Sequence, residues 1–162
     1  MKILKQTIES YEETYRQGYD KSYPSIELVR IENFFLKEKG HVLDFGCGPG
    51  TNGIHFLKND HNVTFCDISG HALKKVKEKI KKEKIKKKFK LINLVTNQDF
   101  FKKNIDTFDY IICLSVLNNF KDKKAAKFYL NQFHKLLKKN GKILLINIYI
   151  YFYQMMKNGI II

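Results

Sequence analysis

Residues 41–57 read HVLDFGCGPGTNGIHFL and carry the strongest structural signal in the chain. An apolar run containing Asp44 comes first, and three glycines follow it, Gly46, Gly48 and Gly50, each separated from the next by one residue. Apolar residues at helical spacing come after the glycines. The pattern predicts a β-strand, a tight turn and the first turn of an α-helix.

A glycine-rich turn of this kind brings backbone N–H groups and the positive end of a helix close to a ligand, because only glycine allows so close an approach. We therefore expect the ligand to be a nucleoside. A dinucleotide-binding turn would read G-x-G-x-x-G. This chain has G-x-G-x-G with Asp44 two residues before the first glycine, so its spacing disagrees with a site for NAD.

A second predicted strand, residues 61–67, ends in Asp67. An acid near this distance from a glycine turn, at the tip of the next strand, is where a Rossmann-like sheet holds the hydroxyls of a ribose. A carboxylate suits that role because it offers only acceptors and the diol offers two donors. The alternative is that Asp67 caps the following helix, although Ser69 could fill that role instead.

The acid–x–G–x–G–x–G turn and the acid that closes the second strand together resemble the class I S-adenosylmethionine-dependent methyltransferases. Three later segments resemble the same family in the same order, and they are residues 89–101, 108–120 and 128–146. Where this chain has Asn118 and Asn119, many members of the family carry histidine. The resemblance covers about residues 25–150.

The resemblance implies an α/β fold, with a Rossmann-like, doubly wound and mostly parallel sheet of about five strands and helices on both faces. We expect a single domain over residues 1–162. Within it, 1–36 would form a helical cap or lid, 37–150 the cofactor-binding core and 151–162 a short tail.

The family normally continues after the fifth strand with a helix and an antiparallel strand pair, which we expect to be absent here. The fifth strand would then be an exposed apolar edge. It would either pair with another protomer in a homodimer or mark a truncated form of the domain.

The resemblance also implies S-adenosylmethionine as the cofactor. The glycine turn would surround its methionine moiety, with Asp44 supporting the turn or meeting the amino group. Asp67 would hold the ribose, and Asp99 and Phe100 would meet the adenine. The full set of expected cofactor-binding residues is Asp44, Gly46, Cys47, Gly48, Gly50, Asp67, Ile68, Asp99, Phe100 and Leu114.

The acceptor side of the site is less readable. No catalytic base can be named, because His55 and His134 fall on predicted helices, where packing or solvated histidines are common. The N-terminal segment is rich in tyrosine, and by analogy it would fold over the cofactor. The candidate lid residues are Tyr11, Tyr15, Tyr19, Tyr23 and Arg30, and packing against the sheet edge is their alternative role.

The formal net charge of +14 would suit a nucleic-acid partner, but only two of the 30 basic residues are arginine, Arg16 and Arg30. Arginine is the preferred residue for bidentate contacts to phosphates and bases. The densest lysine run, residues 74–90, alternates with apolar positions as a solvated helix does. Nucleic-acid binding is therefore open but not favoured.

The three cysteines, Cys47, Cys66 and Cys113, show no C-x-x-C spacing, so we expect neither a disulfide framework nor a metal site. No segment reads as a transmembrane helix or a secretory signal, which predicts a cytoplasmic protein without membrane association.

The favoured function is methyl transfer from S-adenosylmethionine to a small-molecule acceptor. Two alternatives stay open. One is an RNA or protein methyltransferase, and the other is a catalytically silent module for cofactor binding or dimerisation.

Overall fold

The computed structural model describes residues 5–36, 38–120 and 123–146. Two helices come first, and strands and helices then alternate. In chain order the elements are α1 (Lys5–Arg16), α2 (Ile26–Phe35), β1 (His41–Phe45), α3 (Thr51–Lys58), β2 (Asn62–Asp67), α4 (Gly70–Lys82), β3 (Phe89–Asn93), α5 (Phe100–Lys103), β4 (Phe108–Leu114), α6 (Lys123–Leu136) and β5 (Leu137–Ile146). A short 3-10 turn, Leu117–Asn119, follows β4. The predicted tail 151–162 lies outside the described residues.

The strands form one five-stranded sheet in the order β3-β2-β1-β4-β5, and every neighbouring pair is parallel. Val42 of β1 pairs with Val63 of β2 on one side and with Tyr110 of β4 on the other. The strand order reverses direction at β1, so a crevice opens between the carboxyl ends of β1 and β4. The predicted Rossmann-like α/β fold is confirmed.

The central strand β1 is buried on both faces because helices cover the sheet from both sides. Val42 packs in a core cluster with α2, α3 and α4. Its neighbour Leu43 points the other way, into a cluster with α5 and α6. This alternation follows from the two-residue period of a strand and holds the end of β1 rigidly at the crevice.

Helix α6 passes directly into β5, and the Asn-Gly pair at Asn140 lies inside the strand. The helix ends at Leu136 and the strand begins at once, because Thr107 N donates to Leu136 O at 2.9 Å and draws the chain into the sheet. Asn140 adopts a left-handed conformation with φ 67°, and the pairing with β4 shifts register between Phe108 and Tyr110. The Asn-Gly pair therefore makes an irregularity within β5.

Among the described residues, β5 ends the strand order on one side of the sheet, as the predicted exposed edge requires. Pairing of this edge with another protomer stays a prediction. None of the helices in the described part of the chain is long and apolar enough to cross a membrane.

The sheet face under α6 provides a test of the packing. Phe133 is 0% exposed and meets the Phe45 ring with centroids 4.8 Å apart. Phe133→Ala should lower the free energy of unfolding by about 3–5 kcal/mol, because it leaves a cavity in a close-packed core. Equilibrium unfolding in urea measures the loss.

Phe34 on α2 provides the matched control, because its side chain is 69% exposed. Phe34→Ala should change the free energy of unfolding by no more than about 0.5 kcal/mol. Equal losses for the two variants would contradict the packing described here.

Candidate functional site

The turn after β1 is fixed by the end of β2. Gly46 N and Cys47 N both donate to Cys66 O, at 2.8 and 3.0 Å. Gly48 has φ +52°, a left-handed conformation, and a Cβ placed on it would lie 2.8 Å from the hydroxyl oxygen of Tyr15. A side chain at this position would therefore be strained and crowded. The turn leaves a bare backbone surface at the crevice.

Asp67 closes β2 and faces the same crevice. Its Oδ2 accepts a hydrogen bond from Gly48 N at 2.8 Å, and its Oδ1 accepts one from Ser69 N at 2.9 Å. Burial raises the pKa of the Asp67 carboxyl, and the amide hydrogen bonds from Ser69 and Gly48 oppose that rise. Each carboxylate oxygen keeps a further lone pair for a ligand donor.

Asp44 lies beneath the turn rather than at its surface. The side chain is buried, and Oδ2 accepts a hydrogen bond from Gly53 N in the first turn of α3 at 2.9 Å. Burial raises the pKa of this carboxyl to about 7, with the Gly53 hydrogen bond opposing the rise. Of the two roles expected for Asp44, this geometry matches support of the turn.

A cavity of about 1280 Å³ lies over the carboxyl ends of β1, β2 and β4. Its floor includes Gly46, Gly48 and Asp67 from the two strand ends just described, and Leu114 and Ser115 from the end of β4. Ser115 is left-handed with φ 57°, an uncommon conformation for a residue other than glycine. Such backbone conformations cluster at functional sites.

Helix α1 covers the cavity. Tyr11 and Tyr15 both line it, with ring centroids 6.4 Å apart. Asn119, which follows β4, donates from Nδ2 to the Tyr11 hydroxyl at 2.8 Å and to Ser115 O at 2.9 Å. Burial raises the pKa of the Tyr15 hydroxyl, and the nearby Asp67 carboxylate raises it further. Tyr19 lines the cavity as well, so three of the four predicted lid tyrosines lie at the site.

Six of the ten residues expected at the cofactor line the cavity, and four do not. The six are Gly46, Cys47, Gly48, Asp67, Ile68 and Leu114. Asp44 and Gly50 lie behind the turn, where a Cβ on Gly50 would meet the Val76 side chain at 2.6 Å. The structure brings neither Asp99 nor Phe100 to the cavity.

Asp99 and Phe100 lie at the start of α5. The Asp99 carboxylate is exposed and forms an ion pair with Lys103 one turn along. Phe100 is buried in the core, with its ring 6.4 Å from that of Phe108. Leu94, which directly follows β3, lines the cavity instead. Their position after a strand in the sequence does not distinguish an exposed acid such as Asp99, or a core aromatic such as Phe100, from residues that bind a ligand.

None of the five histidines lines the cavity. His55 and His61 lie near the amino ends of the strands, away from the cavity, and His55 Nε2 is 2.6 Å from the buried Glu32 carboxylate. Within the described ranges, no group of three or more His, Cys, Asp or Glu side chains could hold a metal ion.

Sequence reasoning missed Glu12 on α1. Its Oε1 accepts from Gly70 N at 2.6 Å, and its Oε2 accepts from Ser69 Oγ at 2.9 Å and from His71 N at 3.1 Å. The Nδ1 of His71 lies 2.6 Å from the same Oε2. Nothing in the sequence of a polar helix marks this acid, because all its partners lie 57 to 59 residues away.

A family model described as a methyltransferase domain matches residues 43–143. An uncharacterized protein of Methanocaldococcus jannaschii is 34% identical over 122 residues, which is 75% of this chain and 45% of that protein. An uncharacterized methyltransferase of Schizosaccharomyces pombe is 28% identical over 122 residues, 72% of this chain and 42% of that protein. The chain spans about half the length of the curated relatives it matches.

Solved structures show the same fold. A 1,6-didemethyltoxoflavin-N1-methyltransferase of Burkholderia thailandensis, with bound 1,6-didemethyltoxoflavin and S-adenosylhomocysteine, has a TM-score of 0.67 at 20% identity and covers 85% of this chain and 59% of its own. A SAM-dependent methyltransferase of Methanosarcina mazei has a TM-score of 0.59 at 21% identity, covering 72% and 55%.

The buried Asp44 predicts a pH dependence of stability. Its pKa of about 7 in the folded protein lies above the value of about 3.9 expected for an unfolded chain. The folded state therefore holds the proton more tightly, and the stability that this carboxyl contributes is complete below about pH 4 and is lost as the pH rises through 7. Asp44→Asn keeps an acceptor for Gly53 N and carries no charge. We expect it to gain roughly 1–3 kcal/mol relative to the parent protein between pH 4 and 8.

Urea unfolding at several pH values measures this difference. Asp60→Asn is the control, because Asp60 is exposed and Lys87 lowers the pKa of its carboxyl. Its difference from the parent protein should stay nearly constant from about pH 5 to 8, because a lowered pKa places the titration of this carboxyl below that range. A difference for Asp44→Asn that stays constant from pH 4 to 8 would contradict a protonated Asp44.

Proposed function

The chain belongs to the class I S-adenosylmethionine-dependent methyltransferase family, and on this premise we propose that it binds S-adenosylmethionine in the cavity beneath α1 and transfers the methyl group to a small-molecule acceptor. The observation that carries the proposal is the pairing of Gly48 and Asp67. One hydrogen bond holds a bare backbone turn and a buried carboxylate side by side at the carboxyl end of the sheet.

The residues present fit the cofactor. A Cβ on Gly46 would meet the Val116 side chain at 2.3 Å, so only glycine fits this left-handed turn, whose bare backbone would face the methionine moiety. The free lone pairs of Asp67 would accept the two ribose hydroxyls. Ile68, Leu94 and Leu114 supply apolar contacts for the adenine; for this role we favour them over Asp99 and Phe100, which would have to move to reach the cavity.

A small-molecule acceptor is favoured by the shape of the site. The cavity exceeds the range of about 300–1,000 Å³ typical of small-molecule sites, so it has room for a cofactor and a second ligand. Helix α1 covers it with Tyr11 and Tyr15. A partly covered cavity admits compact acceptors more readily than a folded RNA or protein.

When bound, the sulfonium supplies an activated methyl group for direct displacement by the acceptor. The chain contributes proximity and orientation, which account for much of the acceleration in reactions that need little proton transfer. The Gly48 turn would hold the methionine moiety of the cofactor, and Asp67 would hold its ribose. Ser115 and Asn119 would border the acceptor beside the end of β4. We assign no residue as a general base.

Methyl transfer can be tested directly with radiolabelled S-adenosylmethionine. Purified chain is incubated with fractionated small molecules, total RNA or total protein from a bacterial extract. We expect label in the small-molecule fraction. Label confined to RNA or protein would replace the proposed acceptor class, and cofactor binding without transfer to any fraction would favour a silent cofactor-binding module.

Asp67→Ala should weaken the binding of S-adenosylmethionine and S-adenosylhomocysteine by about 1.5–3 kcal/mol, because a hydrogen-bonded carboxylate is removed from the ribose. This corresponds to a roughly 10- to 150-fold increase in Kd. Isothermal titration calorimetry measures the change, and circular dichroism verifies that the variant is folded.

Asp99→Ala is the matched control, since it removes a carboxylate that lies outside the cavity. Its affinity for both ligands should equal that of the parent protein. Unchanged binding by a folded Asp67→Ala would remove the basis of this site assignment, and weakened binding by Asp99→Ala would return Asp99 to the adenine site.

A further inference from the structure

Glu12 ties the cover of the cavity to the cavity floor. It lies on α1 and accepts hydrogen bonds from the N-cap residue and the first turn of α4. Both carboxylate oxygens are used, Oε1 by Gly70 N and Oε2 by Ser69 Oγ and His71 N. No other described side chain of α1 hydrogen-bonds this turn.

The electrostatics of this contact are favourable. The first N–H groups of α4 have no partners within the helix and carry the positive end of its dipole, which favours a carboxylate. Burial raises the pKa of Glu12, but hydrogen bonds from Gly70, His71 and Ser69 outweigh it and lower the pKa to about 2. The Glu12 carboxylate is therefore charged at neutral pH.

Helix α4 has an N-cap residue of its own, and Glu12 adds acceptors for the N–H groups of Gly70 and His71. Ser69 already occupies the N-cap position, and its Oγ accepts a hydrogen bond from Ala72 N at 3.1 Å. The added carboxylate comes from a separate helix 57 residues earlier in the chain. The contact therefore completes the cap of α4 and at the same time ties α1 to it.

Ser69 links Glu12 to Asp67, the residue proposed to bind the ribose. Its backbone N–H donates to Asp67 Oδ1 at 2.9 Å, and its hydroxyl donates to Glu12 Oε2 at 2.9 Å. One residue thus fixes two carboxylates, the one that holds α1 and the one that faces the cavity. Ser69 therefore connects α1 to Asp67 by one hydrogen bond on each side.

A second contact holds α1 at the other side of the crevice. There the Tyr11 hydroxyl accepts a hydrogen bond from Asn119, beyond the end of β4. Helix α1 therefore bridges the crevice, with Glu12 attached at the β2 side and Tyr11 at the β4 side. Tyr15 lies one turn after Tyr11 on the face that covers Gly48.

We propose that Glu12 is a positioning residue that holds α1 over the cavity and orients Asp67 through Ser69, so that cofactor binding and closure of α1 stabilise each other. The proposal rests on the proposed function in that the ligand of Asp67 is taken to be the ribose of S-adenosylmethionine. Such coupling is reciprocal, because whatever closure adds to cofactor affinity the cofactor adds to closure.

The test uses S-adenosylhomocysteine as the probe and compares Glu12→Ala, Glu12→Gln and Glu9→Ala with the parent protein. Glu9 is the matched control, because it is an exposed acid on the same helix whose ion pair is with Lys5. Calorimetry gives Kd, stopped-flow displacement gives the dissociation rate, and hydrogen–deuterium exchange follows the amides of α1 and of the sheet.

We expect Glu12→Ala to raise Kd about 10- to 100-fold, mainly through faster dissociation, since it removes several hydrogen bonds to a charged group. Exchange in α1 should rise, and the probe should protect α1 less than in the parent protein. Glu12→Gln keeps one acceptor oxygen and should be intermediate. Glu9→Ala should match the parent protein in every measurement.

Three results would count against the proposal in different ways. Failure of the parent protein to bind the probe would overturn the proposed function and this coupling with it. Normal binding by the parent and by both Glu12 variants, with unchanged exchange in α1, would overturn the role of Glu12 alone. Faster exchange throughout β1 and β2 as well as in α1 would make Glu12 a general stabilising residue and would also overturn the proposal.

Discussion

The hydrogen bond from Gly48 N to Asp67 Oδ2 joins the ends of two neighbouring strands, and the candidate site is arranged around it. It requires a left-handed residue at the turn, an acid at the end of β2 and a register that brings the two together. That register pairs Phe45 with Cys66, whose carbonyl accepts two further hydrogen bonds from the turn. A shift of one residue would point Asp67 to the other face of the sheet. The constraint therefore links strand pairing directly to the chemistry of the cavity.

Behind this bond, a second carboxylate stabilises the turn from below. Asp44 is on the same strand as the turn, and it accepts a hydrogen bond from the first turn of α3. The two acids have different surroundings. Asp44 is enclosed and accepts a hydrogen bond from Gly53 N, whereas Asp67 is held by two amides and borders the cavity. Similar side chains thus occupy different places, one beneath the turn and the other at the cavity surface.

The sequence was sufficient to predict the sheet, the glycine turn and the facing acid Asp67, because each depends on local spacing and on strand order. It was insufficient for α1, since the position of Glu12 is set by partners 57 to 59 residues away. The adenine side was also harder to predict. Asp99 occupies the expected place along the chain, yet its carboxylate is exposed and pairs with Lys103 outside the cavity. These positions depend on tertiary packing, which the spacing of residues along a single sequence does not reveal.

The pairing of β1 with β4 has a consequence for how the chain folds. His41 N donates to Asp109 Oδ2 across a separation of 68 residues, and the two strands are parallel neighbours. Parallel contacts so far apart in the chain form slowly, because a long loop must close before they contribute. The crevice exists only after both halves of the sheet have met along this seam. The candidate ligand-binding surface therefore requires the completed sheet, and a ligand that binds there stabilises the folded protein.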